Sequence, residues 1–265
     1  MKDSNHDGST GKRNLPGSFV IAFSMYSRIP MPQVEWTKER MKYALCFFPL
    51  IGAVIGLLQM AVRLLSDALG FPFFGQLFPV VLPVLITGGI HMDGLLDVID
   101  ARASHMDTKK KLEILKDPHT GAFAMIGGGV YLLLYVMAFG EMKPGMIPAY
   151  GMIFMLTRAL SGLAVVTFPL AKNSGLAASF SNAAHKRTVG TVMMVYVLAA
   201  ELLIWYLGGF IAAAVSFLVS ILVYIYYYTM AKREFGGITG DLAGYFLQLC
   251  ELALVAGLAA VSHFV

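Results

Sequence analysis

The sequence predicts an all-α protein, a polytopic transmembrane helical bundle of about seven spans with a short N-terminal interfacial or re-entrant helix. Three observations predict it. Of 265 residues, 57% are hydrophobic and only 14% charged, with a mean hydropathy of +0.70; soluble domains carry about 25% charged residues. Seven stretches approach the ~20 apolar residues that a helix needs to cross a ~30 Å hydrocarbon core. The basic residues also fall unevenly between the connecting loops. A soluble globule, a disordered chain and a secreted disulfide scaffold are excluded, and Cys46 and Cys250 both sit in apolar runs where packing is their expected role.

Residues 1–18 read as a polar N-terminal tail without the apolar core of a signal peptide, and residues 19–265 as a single integral-membrane catalytic domain. Phe19 to Tyr26 is apolar but too short to cross, and Arg28 and Pro30 follow it, so an interfacial or re-entrant helix is expected. The predicted spans are 43–66, 74–91, 122–140, 146–168, 189–207, 209–229 and 240–263. The fifth and sixth are separated only at Gly208-Gly209, which makes that division the least marked of the set.

With the N-terminus inside, the loops expected to face the cytoplasm hold seventeen of the twenty Lys and Arg, and the opposite loops hold only Lys143. That bias follows the positive-inside rule. It accounts for the net charge of +4 as a topology signal and removes nucleic acid as an expected partner. The remaining two bases, Arg63 and Arg158, lie within spans. Arg63 and Glu201 are near span ends and can snorkel. Gly127 to Gly129 read as close helix packing, and Tyr224, Tyr226, Tyr227 and Tyr228 as an interfacial aromatic belt.

The acids mark a site. Asp93, Asp97 and Asp100 follow the second span at spacings of four and three, which places them on one helix face. Carboxylates so arranged repel one another unless a cation sits among them. An all-oxygen set suits a hard cation, Mg²⁺ or Mn²⁺, better than zinc. His91, two residues before Asp93, joins that face only if the Gly88-Gly89 or Gly94 region unwinds. Lys116 and Asp117 stand just before the third span, whose N-terminal N–H groups and positive dipole end suit phosphate. Lys172 follows the fourth span, and Gly236, Gly237 and Thr239 lead to Asp241 at the start of the seventh, a turn able to cradle phosphate. Arg158, in mid-span, needs an anionic partner or a polar cavity, and Glu251 is the candidate partner. Acids for a divalent metal, bases for phosphate and a helix N-terminus converging on one face suit phosphoryl or phosphodiester transfer at a cytoplasmic mouth.

His91-Met92-Asp93-Gly94-Leu95-Leu96-Asp97-Val98-Ile99-Asp100, Lys116-Asp117 with Gly121, and Gly236-Gly237-Ile238-Thr239-Gly240-Asp241 together resemble the adenosylcobinamide-GDP ribazoletransferase (cobalamin-5′-phosphate synthase) family. Arg28-Ile29-Pro30 and Phe48-Pro49-Leu50-Ile51-Gly52 are similar to that family's opening pattern, and the resemblance runs from about residue 18 to 255. Ala101 and Ala124 stand where glycine is usual in the family.

The resemblance implies a multi-pass enzyme of a bacterial or archaeal cell membrane, with its N-terminus and active site cytoplasmic and the lipid bilayer as its surroundings. It implies joining of adenosylcobinamide-GDP to α-ribazole, or its 5′-phosphate, with release of GMP and with Mg²⁺ as cofactor. Under it, Asp93, Asp97, Asp100 and Asp241 are expected to hold metal. Lys116, Asp117, His91 and Arg158 are expected to act in catalysis, and Lys172, Gly236, Gly237 and Thr239 to bind substrate phosphate. Self-association is left open. The competing readings are a CDP-alcohol phosphotransferase-like or prenyltransferase-like enzyme acting on a diphosphate, or a transporter using Arg158 and Glu251. Against the first two, Ala101-Arg102 departs from the phosphotransferase pattern and Asp241 stands without a second Asp-rich motif.

Overall fold

The computed structural model describes residues 14–264. It is helical throughout, its one β feature among the described residues being a bridge between Leu170 and Ile238. In chain order the helices are α1 (Leu15–Tyr26), α2 (Lys38–Met41), α3 (Phe48–Ala68), α4 (Pro72–Thr87), α5 (Ile90–Ala103), α6 (Thr108–Ile114), α7 (Ala122–Gly140), α8 (Ile147–Thr167), α9 (Leu176–Ala183), α10 (Lys186–Phe235) and α11 (Gly240–Ser262).

The expected tail is shorter than 1–18. Asn14 accepts from the Gly17 N–H and caps α1, and Pro16 occupies the first turn, where its missing N–H costs nothing. Ser18 is fully buried and donates to the Arg40 carbonyl at 2.6 Å. Residues 1–13 of that tail lie outside the described residues. The expected short helix is present as α1, with Ile21 and Ala22 buried beside the Ala44–Phe47 turn that leads into α3.

Among the described residues, five helical stretches are long and apolar enough to cross a bilayer: Ala44–Ala68, Ala122–Gly140, Pro144–Thr167, Lys186–Phe235 and Gly240–Ser262. Fifty residues of straight helix would measure ~75 Å, more than twice the ~30 Å of hydrocarbon. Gly209 breaks α10 with φ 84° and ψ 173°. Across that break the Ser216 hydroxyl donates to Glu201 at 3.1 Å, whereas residues fifteen apart in one helix lie ~22 Å apart. The chain therefore reverses at Gly209, and α10 is a pair of antiparallel arms matching the predicted spans 189–207 and 209–229. Glu201 does not snorkel; it is held between the arms.

The second predicted span, 74–91, is corrected. α4 ends at Thr87, and after Gly88 and Gly89 the chain turns by 96° into α5. Both glycines have positive φ, 66° and 84°, the left-handed region that other residues enter at a cost of about 1–2 kcal/mol. Arg28 braces this corner: its N–H donates to the Ile86 carbonyl at 2.6 Å, and its side chain lies against Gly88. α5 carries Asp93, Asp97, Asp100 and Arg102 within fourteen residues. Hydrocarbon does not accommodate that charge density, so we read α5 as lying at the membrane surface.

α8 forms the centre of the bundle, buried nearly throughout and packed on α3, α10 and α11. The α10 arms are peripheral and present exposed apolar side chains such as Leu198, Phe210 and Phe217. The tyrosine belt is only partly such: Tyr226 and Tyr228 are exposed, but Tyr227 is buried and stacks on Phe246 at 4.8 Å. The close-packing expectation holds at Gly127 and Gly128, against Ile99 and Leu96 of α5, while Gly129 faces open space. Cys46 and Cys250 are both free.

Candidate active site

The acidic face of α5 meets the first turn of α11. The contact is close because Gly94 and Gly244 carry no side chains: a Cβ on Gly94 would stand 2.6 Å from the Asp241 carbonyl, and one on Gly244 3.0 Å from that of His91. Asp93, Asp97 and Asp241 are thereby brought together. Burial, followed by the charges of Asp93, Asp241 and Asp100, pushes the Asp97 carboxyl up to about 7. Among the described residues none of Asp93, Asp97 and Asp241 has an ion-pair partner within 4 Å. Lys172 lies within electrostatic reach of Asp241.

Asp100 has a different occupation. One carboxylate oxygen accepts from the Gly121 N–H at 2.5 Å and the other from the Ala124 N–H at 2.8 Å. It caps α7 from across the fold, satisfying two of the N–H groups that a helix start leaves unpaired. The phosphate-seeking dipole end expected at the third span is thus met by a side chain of the protein itself.

The loop pair is outside the acidic group. Lys116 is exposed. Asp117 is also exposed and accepts from the His119 backbone N–H at 3.0 Å, with the His119 ring at 2.7 Å. Those two hydrogen bonds hold its carboxyl below the usual range. The glycine-rich turn is shaped by backbone. Gly236 ends α10 at φ 76°, and Gly237 lies so close to the Leu170 and Ala171 backbone that a Cβ would stand 2.5 Å away. The Ile238 N–H donates to the Pro169 carbonyl and the Ala171 N–H to the Ile238 carbonyl, at 2.8 and 3.0 Å. Thr239 caps α11 by accepting from the Leu242 N–H, and its hydroxyl also reaches Asp241 at 3.2 Å. The turn therefore ties the backbone just before Lys172 to the start of α11, and its Thr239 oxygen is engaged as a cap.

Arg158 is fully buried in α8. Its Nη1 donates to Glu251 at 2.7 Å and to the Phe154 carbonyl at 3.0 Å, the pairing expected from sequence. Its Nε and Nη2 lack protein partners among the described residues.

Between α5, α8 and α11, with α1 and α3 closing one side, lies a cavity of ≈ 190 Å³. Tyr26, Phe48, His91, Asp93, Ser161 and Asp241 are among its walls. His91 and Asp93 both follow the Gly88-Gly89 break within the regular helix α5, so the break does not turn His91 onto the acidic face; His91 lines the cavity alongside Asp93. Sequence reasoning missed Tyr26 and Ser161, which carry no local signal. It also missed the network in which Glu234 pairs with Arg102 at 3.1 Å and Lys111 at 2.8 Å while Arg102 donates to Tyr226 and Tyr245. That network ties α5 and α6 to α10 and α11.

Among the described residues no three His, Cys, Asp or Glu side chains are gathered tightly enough to close a metal shell. Mg²⁺ commonly takes only one or two protein carboxylates and completes its octahedron with water and substrate phosphate oxygens. Asp93 and Asp241 in the cavity wall, with Asp97 near them and none of the three in an ion pair among the described residues, fit that mode of binding.

Comparison with known proteins returns one family over most of the chain. Residues 18–259 match the family described as cobalamin-5-phosphate synthase. An adenosylcobinamide-GDP ribazoletransferase of Lachnoclostridium phytofermentans is 49% identical over 251 residues, covering 92% of this chain and 93% of that protein. Proteins of the same name from Desulfitobacterium hafniense and Clostridium perfringens are 32% and 31% identical over 89% and 87% of this chain, and 94% and 92% of their own. No solved structure matches the chain.

Proposed function

This chain belongs to the cobalamin-5-phosphate synthase family, and we propose that it carries out the nucleotide-loop assembly step of cobalamin synthesis at the cavity between α5 and α11. It is a transferase that joins adenosylcobinamide-GDP to α-ribazole or its 5′-phosphate and releases GMP. The observation that carries the site assignment is the meeting of Asp93, Asp97 and Asp241 beside that cavity.

The ribose 3′-hydroxyl oxygen of the acceptor bonds to the cobinamide-side phosphorus of the diphosphate. The bond from that phosphorus to the bridging oxygen breaks, and GMP leaves with the electron pair. The barrier is largely electrostatic, because the nucleophile approaches a group that is already anionic. Asp93, Asp97 and Asp241 would hold Mg²⁺ together with phosphate oxygens, and when bound the ion supplies positive charge to the diphosphate. The hydroxyl proton passes to a carboxylate oxygen of Asp93 or Asp241, the two acids in the cavity wall, that the ion would leave free. Lys172, within electrostatic reach of Asp241, meets phosphate oxygens, whereas Lys116 stands on the exposed loop apart from the acidic group. Asp100 and Arg158 work at one remove: the first fixes α7 against α5, and the second holds α8 to α11.

The chain is a multi-pass membrane protein, and its curated relatives are bacterial. The basic loops support a topology with the N-terminus and the cavity mouth in the cytoplasm. The reaction is tested on purified protein with Mg²⁺, adenosylcobinamide-GDP and α-ribazole. GMP release is expected; no GMP, or CMP release from a CDP-alcohol, overturns the reading.

A further inference from the structure

We propose that the ≈ 190 Å³ cavity receives the bicyclic aromatic base of the acceptor nucleoside, and that His91 reads that base through a hydrogen bond to its unsubstituted ring nitrogen. The inference rests on the reaction proposed above and adds a subsite and a specificity-determining residue to it.

Size comes first. A cavity of about 150 Å³ holds benzene, whereas pockets that enclose drug-sized ligands begin at about 300 Å³. At ≈ 190 Å³ the space suits one fused ring system and neither a whole nucleoside nor a corrinoid macrocycle. Its walls suit a flat ring. Tyr26 and Phe48 lie 4.4 Å apart between ring centroids, and the His91 ring stands 6.4 Å from the first and 5.9 Å from the second. Leu45, Val165 and Leu247 supply aliphatic surface.

The polar accounting selects the base. His91 is 5% exposed and lines the cavity; its Nε2, without a hydrogen-bond partner among the described residues, is sealed within the wall, so the ring turns its other nitrogen to a ligand. A ring N–H facing a cavity gains its hydrogen bond when an acceptor on a ligand fills the space. The benzimidazole of α-ribazole offers one in-plane acceptor nitrogen and otherwise apolar edges. Guanine, the other aromatic base in the reaction, presents several donors and acceptors along its edges. Apart from the acids assigned to the diphosphate, the cavity offers only His91, Ser161 and Tyr26 to meet them. With the base seated there, its ribose extends towards Asp93 and Asp241, where the 3′-hydroxyl is needed.

The test compares two acceptors on the full-length enzyme: α-ribazole and the isosteric indole riboside in which the acceptor nitrogen is replaced by CH. Wild-type enzyme is expected to favour α-ribazole about 10- to 100-fold in kcat/KM. His91→Phe is expected to bring the two within about twofold, and His91→Gln, which keeps a donor, to restore part of the preference. A wild-type enzyme indifferent to the nitrogen overturns the proposal. So does a His91→Phe enzyme that keeps the preference and instead changes KM for the GDP-linked donor, which would give the cavity to guanine. Equilibrium dialysis of α-ribazole separates this proposal from the reaction itself. Binding that His91→Phe weakens, without turnover in wild type, upholds the cavity and overturns the reaction; absence of binding overturns the cavity.

Discussion

Arg158 and Glu251, ninety-three positions apart in sequence, meet at 2.7 Å where both side chains are shielded from solvent. Removing one partner leaves an uncompensated charge in a low-dielectric interior, which costs about 3–5 kcal/mol. Arg158→Met and Glu251→Leu singly are therefore expected to lower the melting temperature in detergent sharply. The double variant is expected to regain most of the loss, because an apolar pair of similar volume carries no desolvation cost. A double variant no more stable than the singles would show that the pair acts through further contacts.

Asp97 links acidity to metal. Its folded carboxyl is raised to about 7 by burial and neighbouring acids, from an ordinary value of 3.8. Between those values the folded state binds more protons than the unfolded one, so stability falls as pH rises through that window and is level above it. Protein treated with a chelator is expected to melt at a lower temperature at pH 8 than at pH 5, Mg²⁺ is expected to restore it at pH 8, and Asp97→Asn is expected to reduce the difference, Asp241 being raised in the same direction. The same variant is expected to lose at least ~100-fold in GMP release, measured alongside an unchanged helical circular dichroism spectrum.

For Asp100, the two carboxylate oxygens set the expectation. Asn keeps one acceptor and turns an amide NH₂ toward the other backbone N–H, whereas Ala removes both acceptors; loss of a cap costs about 1 kcal/mol. Asp100→Asn and Asp100→Ala are both expected to lower the melting temperature by a few degrees. Turnover lost in Asp100→Asn far beyond that in Asp100→Ala, or far beyond its change in stability, would add a second duty, metal binding, to the capping that the hydrogen bonds already account for.

Space at the glycines predicts a contrast. A Cβ on Gly94 collides with the Asp241 backbone, while one on Gly129 meets nothing within 4 Å. Gly94→Ala is expected to cost about 1–3 kcal/mol and to reduce turnover further than stability, because it pushes α11 and Asp241 away from Asp97. Gly129→Ala is expected to leave both within error. Side-by-side melting curves and GMP-release assays decide it.

The spans were legible because lipid imposes a length and an apolar composition that any helix crossing it must show. Arg158 was legible for the same reason: a charge in such a stretch requires a partner, and Glu251 was at hand. The grouping of Asp93, Asp97 and Asp100 followed from helical periodicity alone. What the sequence hid depends on approaches between distant segments. Asp100 meets Gly121 and Ala124 only because α7 returns against α5, and Arg102 meets Glu234 across 132 positions. Tyr227 was misread because a run of four aromatics with one substitution looks uniform, while helical rotation sends one of its members inward. The predicted second span runs straight through Gly88-Gly89 to residue 91, because the 96° angle there depends on both glycines adopting positive φ and on Arg28 bracing them.

That corner gives the enzyme a particular fragility. The attitude of the acidic helix is dictated by a few backbone torsions at Gly88 and Gly89, upstream of every carboxylate. A side chain introduced at either glycine would re-aim the whole helix while each acid stayed in its place in the sequence. Competence is thus inherited from the path of the chain, and a protein can hold a complete roster of reactive groups and still be inert.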